Sequence, residues 1–319
     1  MAIVMKFGGS SVKDEERIRN VVDIIKLNLD RKPVVVCSAC GGITDMLIEA
    51  AGKASRGEDL QQITAKIRKR HLDILEKLNL EKKDIEALLF EFEETIKRIA
   101  AAKAADTPAM DLVQSFGERM SIRIVAAELN NQGIEAKAFD AWDIGMITNS
   151  DFGKAEPIED SEAMIKKSLS GNSFVSVVTG FIGKNSDGAV TTLGRGGSDY
   201  TAALLGAAVR AEEIQIWTDV DGIMTSDPRV VKEAKTIPQI SFEESSELAF
   251  FGAKVLHPKT IQPAMKKNIP VRVLNTYNPK GKGTAIVRES SKASTIVKAI
   301  ACKKKNTMLN VNSTRMLGA

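Results

Sequence analysis

Apolar residues along this chain follow two patterns. Short, mostly apolar runs at 3–7, 34–38, 174–179 and 214–218 have strand length, and the first three read as buried strands. Elsewhere the spacing is helical. Ile18, Val21, Val22, Ile25 and Leu29 give one apolar face to a helix predicted over 14–29. Gly41-Gly42 reads as a turn, with a helix starting near Thr44 as its N-cap. Further helices are predicted over 116–131, closed by Gly133, and over 161–169, 198–210, 243–249 and 258–267. Strands are also predicted at 134–139, 144–148, 271–274 and 285–287. Asp187-Gly188 sits between two short apolar pairs, as in a hairpin.

Strands alternating with helices predict an α/β protein, a mostly parallel sheet between helical layers. Residues 60–105 break the alternation: they are helical, rich in Glu, Lys and Leu, and interrupted near Asn79. They read as a helical insertion or lid over the sheet edge. The a/d register does not persist, which argues against a coiled coil.

Composition narrows the function. The 319 residues are 43% hydrophobic and 27% charged, as in an ordinary globular protein. A net charge of +4 is spread along helices, and aromatics make up 5%, so a nucleic-acid surface is not expected. The Lys303-Lys304-Lys305 run reads as a solvated turn. No signal segment or membrane span is visible, so a cytoplasmic location is expected. Cys37, Cys40 and Cys302 are too few for a disulfide framework, and Cys37-x-x-Cys40 lacks a second pair for zinc. His71 and His257 cannot build a histidine metal centre.

Candidate chemistry gathers at two glycine turns. Lys6-Phe7-Gly8-Gly9-Ser10-Ser11 and Gly194-Arg195-Gly196-Gly197-Ser198-Asp199 each leave an apolar strand, open a helix and carry one cation. A helix N-terminus presents free N–H groups and a positive dipole end, so each turn suits an anion. Two such turns suit phosphoryl transfer to a carboxylate. Glu118, in Ser115-Phe116-Gly117-Glu118-Arg119, reads as a first-turn acid. It either complements the helix dipole or binds an ammonium group. Asp219 and Asp221 end a strand where open α/β sheets bind ligands, though Asp and Gly are also ordinary turn residues. The Walker motif, the protein-kinase motifs and a complete dinucleotide fingerprint are absent.

Taken together, these segments resemble the aspartate kinases of the amino-acid kinase family. To the turns already quoted are added Thr179-Gly180-Phe181-Ile182-Gly183, Trp217-Thr218-Asp219-Val220-Asp221-Gly222 and Phe251-Gly252-Ala253-Lys254-Val255-Leu256-His257-Pro258, in family order. The resemblance implies the amino-acid-kinase fold in two lobes and the reaction of L-aspartate with ATP and Mg²⁺ to give 4-phospho-L-aspartate. It implies a catalytic domain over 1–292, with an aspartate lobe to about 200 and an ATP lobe after it. Lys6, Gly8, Gly9 and Ser10 would cradle the transferred phosphoryl group, and Asp199 would orient Lys6 or the metal-bound phosphates. Ser38, Thr44 and Ser198 would hold aspartate, Glu118 its ammonium and Arg195 a carboxylate, with Phe181 as a wall. Lys6, Gly8 and Gly9, with Thr218, Asp219, Met224, Arg229, Lys254 and Val255, would contact ATP. Met224 stands where many relatives carry tyrosine. Residues 293–319 resemble the opening of an ACT regulatory domain. A homodimer is implied, and insensitivity to lysine and threonine unless a separate regulatory subunit supplies the effector site. Two alternatives stand beside this reading: an acyl-phosphate-forming kinase of the same fold acting on another amino acid, and a non-catalytic ATP- or amino-acid-binding subunit.

Overall fold

A computed structural model describes residues 2–250, 256, 258–290 and 297–301. The strands are β1 (Ile3–Phe7), β2 (Pro33–Cys37), β3 (Ala136–Phe139), β4 (Ile147–Thr148), β5 (Val175–Thr179), β6 (Ile182–Asn185), β7 (Val190–Thr192), β8 (Glu213–Thr218), β9 (Gln239–Ser241), β10 (Val271–Asn275) and β11 (Thr284–Val287). The helices are α1 (Glu15–Lys26), α2 (Ile43–Ser55), α3 (Gln61–Leu78), α4 (Lys83–Ala102), α5 (Thr107–Asn131), α6 (Ser161–Leu169), α7 (Gly197–Val209), α8 (Phe242–Phe250) and α9 (Pro258–Lys267).

Eight strands form one sheet in the order β3-β5-β2-β1-β8-β10-β11-β9. Every neighbouring pair is parallel except β10 with β11. A second sheet, β4-β6-β7, contains the expected hairpin. The expected parallel α/β sandwich is therefore the observed one. The central strands are buried on both faces, which is why they read as mostly apolar runs. Ile3, Met5 and Phe7 of β1 join a core with α1 to α5, whereas Val4 joins a second core with α6 to α9. Alternation along β1 thus puts Lys6 on the α7 side of the sheet.

Several expected boundaries move. α1 ends at Lys26, and Leu29 is in a 3-10 turn, off the apolar face. Thr44 is not an N-cap: Gly42, at φ 82°, precedes α2, and Thr44 lies inside the first turn. Only Ile147–Thr148 of the expected 144–148 strand is extended, because Ala141–Ile144 forms a 3-10 turn. β9 has three residues and was not expected.

The 60–105 segment is two helices separated near Asn79, at φ 54°. They pack on helices α1, α2 and α5, not over a sheet edge. Ile67, Leu75, Leu89 and Phe92 are fully or almost fully buried there, so the insertion thickens the core. Helix α5 starts at Thr107, with Asp106 as N-cap accepting from the Ala109 N–H and Pro108 in the first turn. Among the described residues no helix is long and apolar enough to cross a membrane. An expected lobe boundary near 200 falls inside α7. Residues 297–301 lie against the rest of the fold: the Ile300 N–H donates to the Thr225 carbonyl (2.9 Å), and Lys298 pairs with Glu244 (2.8 Å).

Candidate active site

A cleft of about 750 Å³ opens where β1, β2 and β5 end and α7 begins. Lys6, Gly9, Ser38, Thr44, Glu118, Phe181, Arg195, Ser198 and Asp199 all line it. Most of the expected catalytic and aspartate-binding residues therefore converge on one cavity. Gly8 and Ser10 do not line it, but they flank Gly9 in the same turn.

Lys6 reaches across the sheet end to α7. Its ammonium lies 2.7 Å from Asp199 Oδ1, an ion pair rather than an aligned hydrogen bond. Both side chains are less than one-fifth exposed. The chain after Lys6 was expected to open a helix. It forms only a 3-10 turn, Gly9–Val12, and α1 begins later, at Glu15. The anion-binding capacity of this turn therefore comes from Lys6 and local N–H groups, not from a long helix dipole. The turn is held tightly. The Gly8 N–H donates to the Trp217 carbonyl (3.2 Å), and a Cβ on Gly9 would come within 2.9 Å of the Ala39 carbonyl oxygen. Thr276 and Tyr277 brace it from outside: Ser11 Oγ is 2.7 Å from Thr276 Oγ1, and the Tyr277 hydroxyl donates to the Ser10 carbonyl.

The second turn does open a helix. Gly196, at φ 73°, precedes α7, whose first turn carries Ser198 and Asp199. Ser38 Oγ donates to Ser198 Oγ (3.0 Å), joining the β2 end to this turn. Arg195 is exposed at the cleft and has no ion-pair partner among the described residues. Phe181 holds φ 69°, a costly conformation for a bulky residue. Its N–H donates to Thr201 Oγ1 (3.0 Å) and its carbonyl accepts from Leu193 (2.8 Å), so its neighbours fix the strain in place.

Glu118 corrects the sequence reading. It lies in the middle of α5 and is buried, so it cannot complement a helix N-terminus. Gly117 makes this possible, because a Cβ there would sit 2.6 Å from Ala39 Cβ. The Ala39 N–H donates to Glu118 Oε1 (3.1 Å), while Oε2 is buried without a partner. Burial pushes the carboxyl up to about 8, against the pull of that N–H and of Lys6. A buried carboxylate oxygen without a donor is a place for a ligand cation. Cys37 and Cys40 are free thiols raised by burial, Cys40 to about 12, so neither is a nucleophile near neutral pH.

The expected nucleotide residues spread further. Thr218 is the last residue of β8 and Asp219 follows it, beside Gly8, because β1 and β8 are parallel neighbours. Met224 is half-buried and forms an isolated antiparallel bridge with Thr236. Arg229 is exposed and clamps Asp227 two residues away, at 2.6 Å. These residues do not line the cleft, and Lys254 and Val255 lie outside the described residues. Gln114, Gly153 and Thr192 also line the cleft and were not anticipated. Gln114 is one helical turn before Glu118, a signal that becomes readable once α5 is known to start at Thr107.

Residues 1–275 match the model of the amino acid kinase family. The chain is 43% identical to aspartokinase 1, chloroplastic, of Arabidopsis thaliana, over 99% of this chain and 57% of that protein. It is 39% identical to lysine-sensitive aspartokinase 3 of Escherichia coli, over 99% of this chain and 70% of that one. Among solved structures, E. coli aspartokinase III in complex with aspartate and ADP superimposes with a TM-score of 0.82 at 38% identity, over 91% of this chain and 65% of that one. The chain spans 57% to 60% of the length of the three Arabidopsis aspartokinases it matches.

Proposed function

The chain belongs to the amino acid kinase family and, within it, to the aspartokinases; on that premise we propose that it transfers the γ-phosphoryl group of ATP to the β-carboxylate of L-aspartate. The observation that carries this reading is the arrangement of charges around one cleft. A buried, unpartnered carboxylate oxygen on Glu118, an exposed guanidinium on Arg195 and a fixed Lys6–Asp199 pair all face it.

Each charge has a matching part of the substrates. Glu118 accepts the α-ammonium of aspartate. Arg195 takes the α-carboxylate through its bidentate fork. Ser38, Ser198 and Thr44 supply hydroxyls beside them, and Phe181 closes the wall. The β-carboxylate then points toward Lys6 and the Gly8-Gly9 turn. It is ionised at neutral pH, so one of its oxygens attacks the γ-phosphorus without a general base, and the bond to the β-phosphate oxygen breaks to release ADP. Lys6 stays on the transferring phosphoryl oxygens throughout. Asp199 holds the ammonium in place. Catalysis is then positioning and charge neutralisation.

Magnesium fits this donor set in one way. Among the described residues no group of three or more His, Cys, Asp and Glu side chains forms a protein cage. Magnesium is commonly held by nucleotide phosphates and one or two carboxylates, and Asp199 is the acid in place to contribute. When bound, the ion neutralises phosphate charge. Thr218, Asp219, Met224, Arg229, Lys254 and Val255 are assigned to the nucleotide by motif, with Thr218 and Asp219 supported by their place beside Gly8.

The test is ATP turnover with magnesium and hydroxylamine, comparing L-aspartate with L-glutamate. Aspartyl hydroxamate is expected. A hydroxamate from glutamate alone would reassign the substrate, and nucleotide binding without either product would leave a binding protein.

A further inference from the structure

Asp111 is an acid that no motif singles out. It lies on α5, is 1% exposed and has no ion-pair partner among the described residues. Its carboxylate is nevertheless fully used. Oδ2 accepts the N–H groups of Gly153 (2.9 Å) and Thr192 (2.8 Å), and Oδ1 accepts the Thr192 hydroxyl (2.9 Å). Burying a carboxylate is costly unless several donors meet it, and here three do. Burial still pushes its carboxyl up, against the pull of those donors.

All three joined segments line the cleft. Helix α5 carries Gln114 and Glu118, Gly153 is a wall residue, and Thr192 leads through Leu193 and Gly194 to Arg195. Asp111 and Glu118 are seven residues apart on one helix, so they lie on nearly the same face about 10 Å apart along the axis. Thr192 is gripped at every polar backbone atom, since its carbonyl also accepts from the Ala155 N–H (2.8 Å). Beyond it, Gly194 lies close to the Gly153 carbonyl oxygen, which would be 3.0 Å from a Cβ there. Little slack is left between the Asp111 carboxylate and Arg195.

We propose that Asp111 is a positioning residue: by holding Thr192 and Gly153 to α5, it sets the span between the Glu118 end and the Arg195 end of the cleft. The inference rests on the assignment of those two ends to the ammonium and α-carboxylate of one amino acid. Asp111 touches neither substrate. It acts on aspartate through Arg195 and leaves the nucleotide side unaffected.

The experiment measures L-aspartate and ADP affinities by calorimetry on the whole chain, alongside steady-state KM values. Asp111→Ala is expected to weaken L-aspartate binding at least tenfold, with ADP binding within twofold of the unaltered chain. Thr192→Val removes one hydroxyl and keeps the N–H, so a loss of twofold to fivefold in the same direction is expected. It decides the matter should Asp111→Ala fail to fold. Asp111→Asn is expected to recover to within threefold, because its amide oxygen can accept both N–H groups while the Thr192 hydroxyl turns to accept from Nδ2. Equal weakening of aspartate and ADP would mean a general structural role and overturn the proposal. So would an Asn variant as impaired as the Ala variant, or aspartate affinity unchanged in every folded variant. If the unaltered chain itself binds no L-aspartate, the functional reading fails first and the proposal with it.

Discussion

The two glycine turns look alike in sequence and differ in the folded protein. The Lys6 turn forms a single 3-10 turn pressed against the 38–42 turn, and its cation is sheltered and paired with Asp199. The Gly194–Gly197 turn opens a thirteen-residue helix, and its cation, Arg195, is exposed. A paired, preorganised charge needs no reorganisation when charge develops in a transition state, so Lys6 suits the moving phosphoryl group. An exposed guanidinium is free to close on a ligand, so Arg195 suits ground-state recognition. On the proposed reading, two similar motifs would divide catalysis and binding between them.

Exchanging the two cations for neutral residues gives the sharpest break. Lys6→Met keeps the stem and removes the charge. A fall in kcat of about 10² to 10⁴ is expected, with aspartate KM changed little. Arg195→Ala is expected to raise aspartate KM by about 10²-fold while kcat falls less than tenfold. Steady-state kinetics in both substrates separates the cases. If both variants lost kcat alike, the division of labour would be wrong.

The pH profile sharpens the same contrast, because burial shifts Glu118, at the proposed ammonium end of the site. Burial raises Glu118 to about 8, so below that pH the empty site holds a protonated acid. On the proposed reading, the ammonium of aspartate pairs with the ionised form. Apparent affinity for L-aspartate should therefore rise with pH, up to tenfold per unit below about 8, and level off above it. Glu118→Gln should weaken binding and flatten this slope, while Arg195→Lys should keep it. Calorimetry between pH 6 and 9 reads both; a slope unchanged in Glu118→Gln would assign the titration elsewhere.

Much of this arrangement is legible in sequence, for reasons that also explain the gaps. β1, β2, β5 and β8 are buried on both faces, so their apolar runs are unambiguous, and Lys6 stands out by interrupting one of them. Ser161–Leu169 has clear helical spacing and forms as read. Helix α5 is harder, because it is buried on several sides and shows little amphipathic pattern, so its start at Thr107 is visible only through Asp106 and Pro108. Missing that start turned Glu118 from a buried mid-helix acid into a first-turn one. Asp111 was invisible for a different reason. Its partners lie 42 and 81 residues away, and contacts of that kind leave no local pattern.

The smallest effects concern the glycines themselves, and they separate the two turns by mechanism. In the Lys6 turn the constraint is space: a Cβ on Gly9 would lie 2.9 Å from a backbone oxygen, which cannot move without shifting the 38–42 turn. Gly9→Ala is expected to cost about 1–3 kcal/mol, as overpacking does. In the other turn the constraint is conformation. Gly196 sits at φ 73°, so Gly196→Ala should cost about 1 kcal/mol through left-handed backbone strain. Urea unfolding of the two variants measures both costs. Asparagine tolerates the left-handed region better than alanine does, so Gly196→Asn should regain part of the loss. Gly9→Asn, blocked by a neighbouring oxygen and not by φ, should be at least as damaging as Gly9→Ala. Recovery by asparagine at both positions would mean that the two turns are constrained in the same way, and the contrast drawn from their packing would fail.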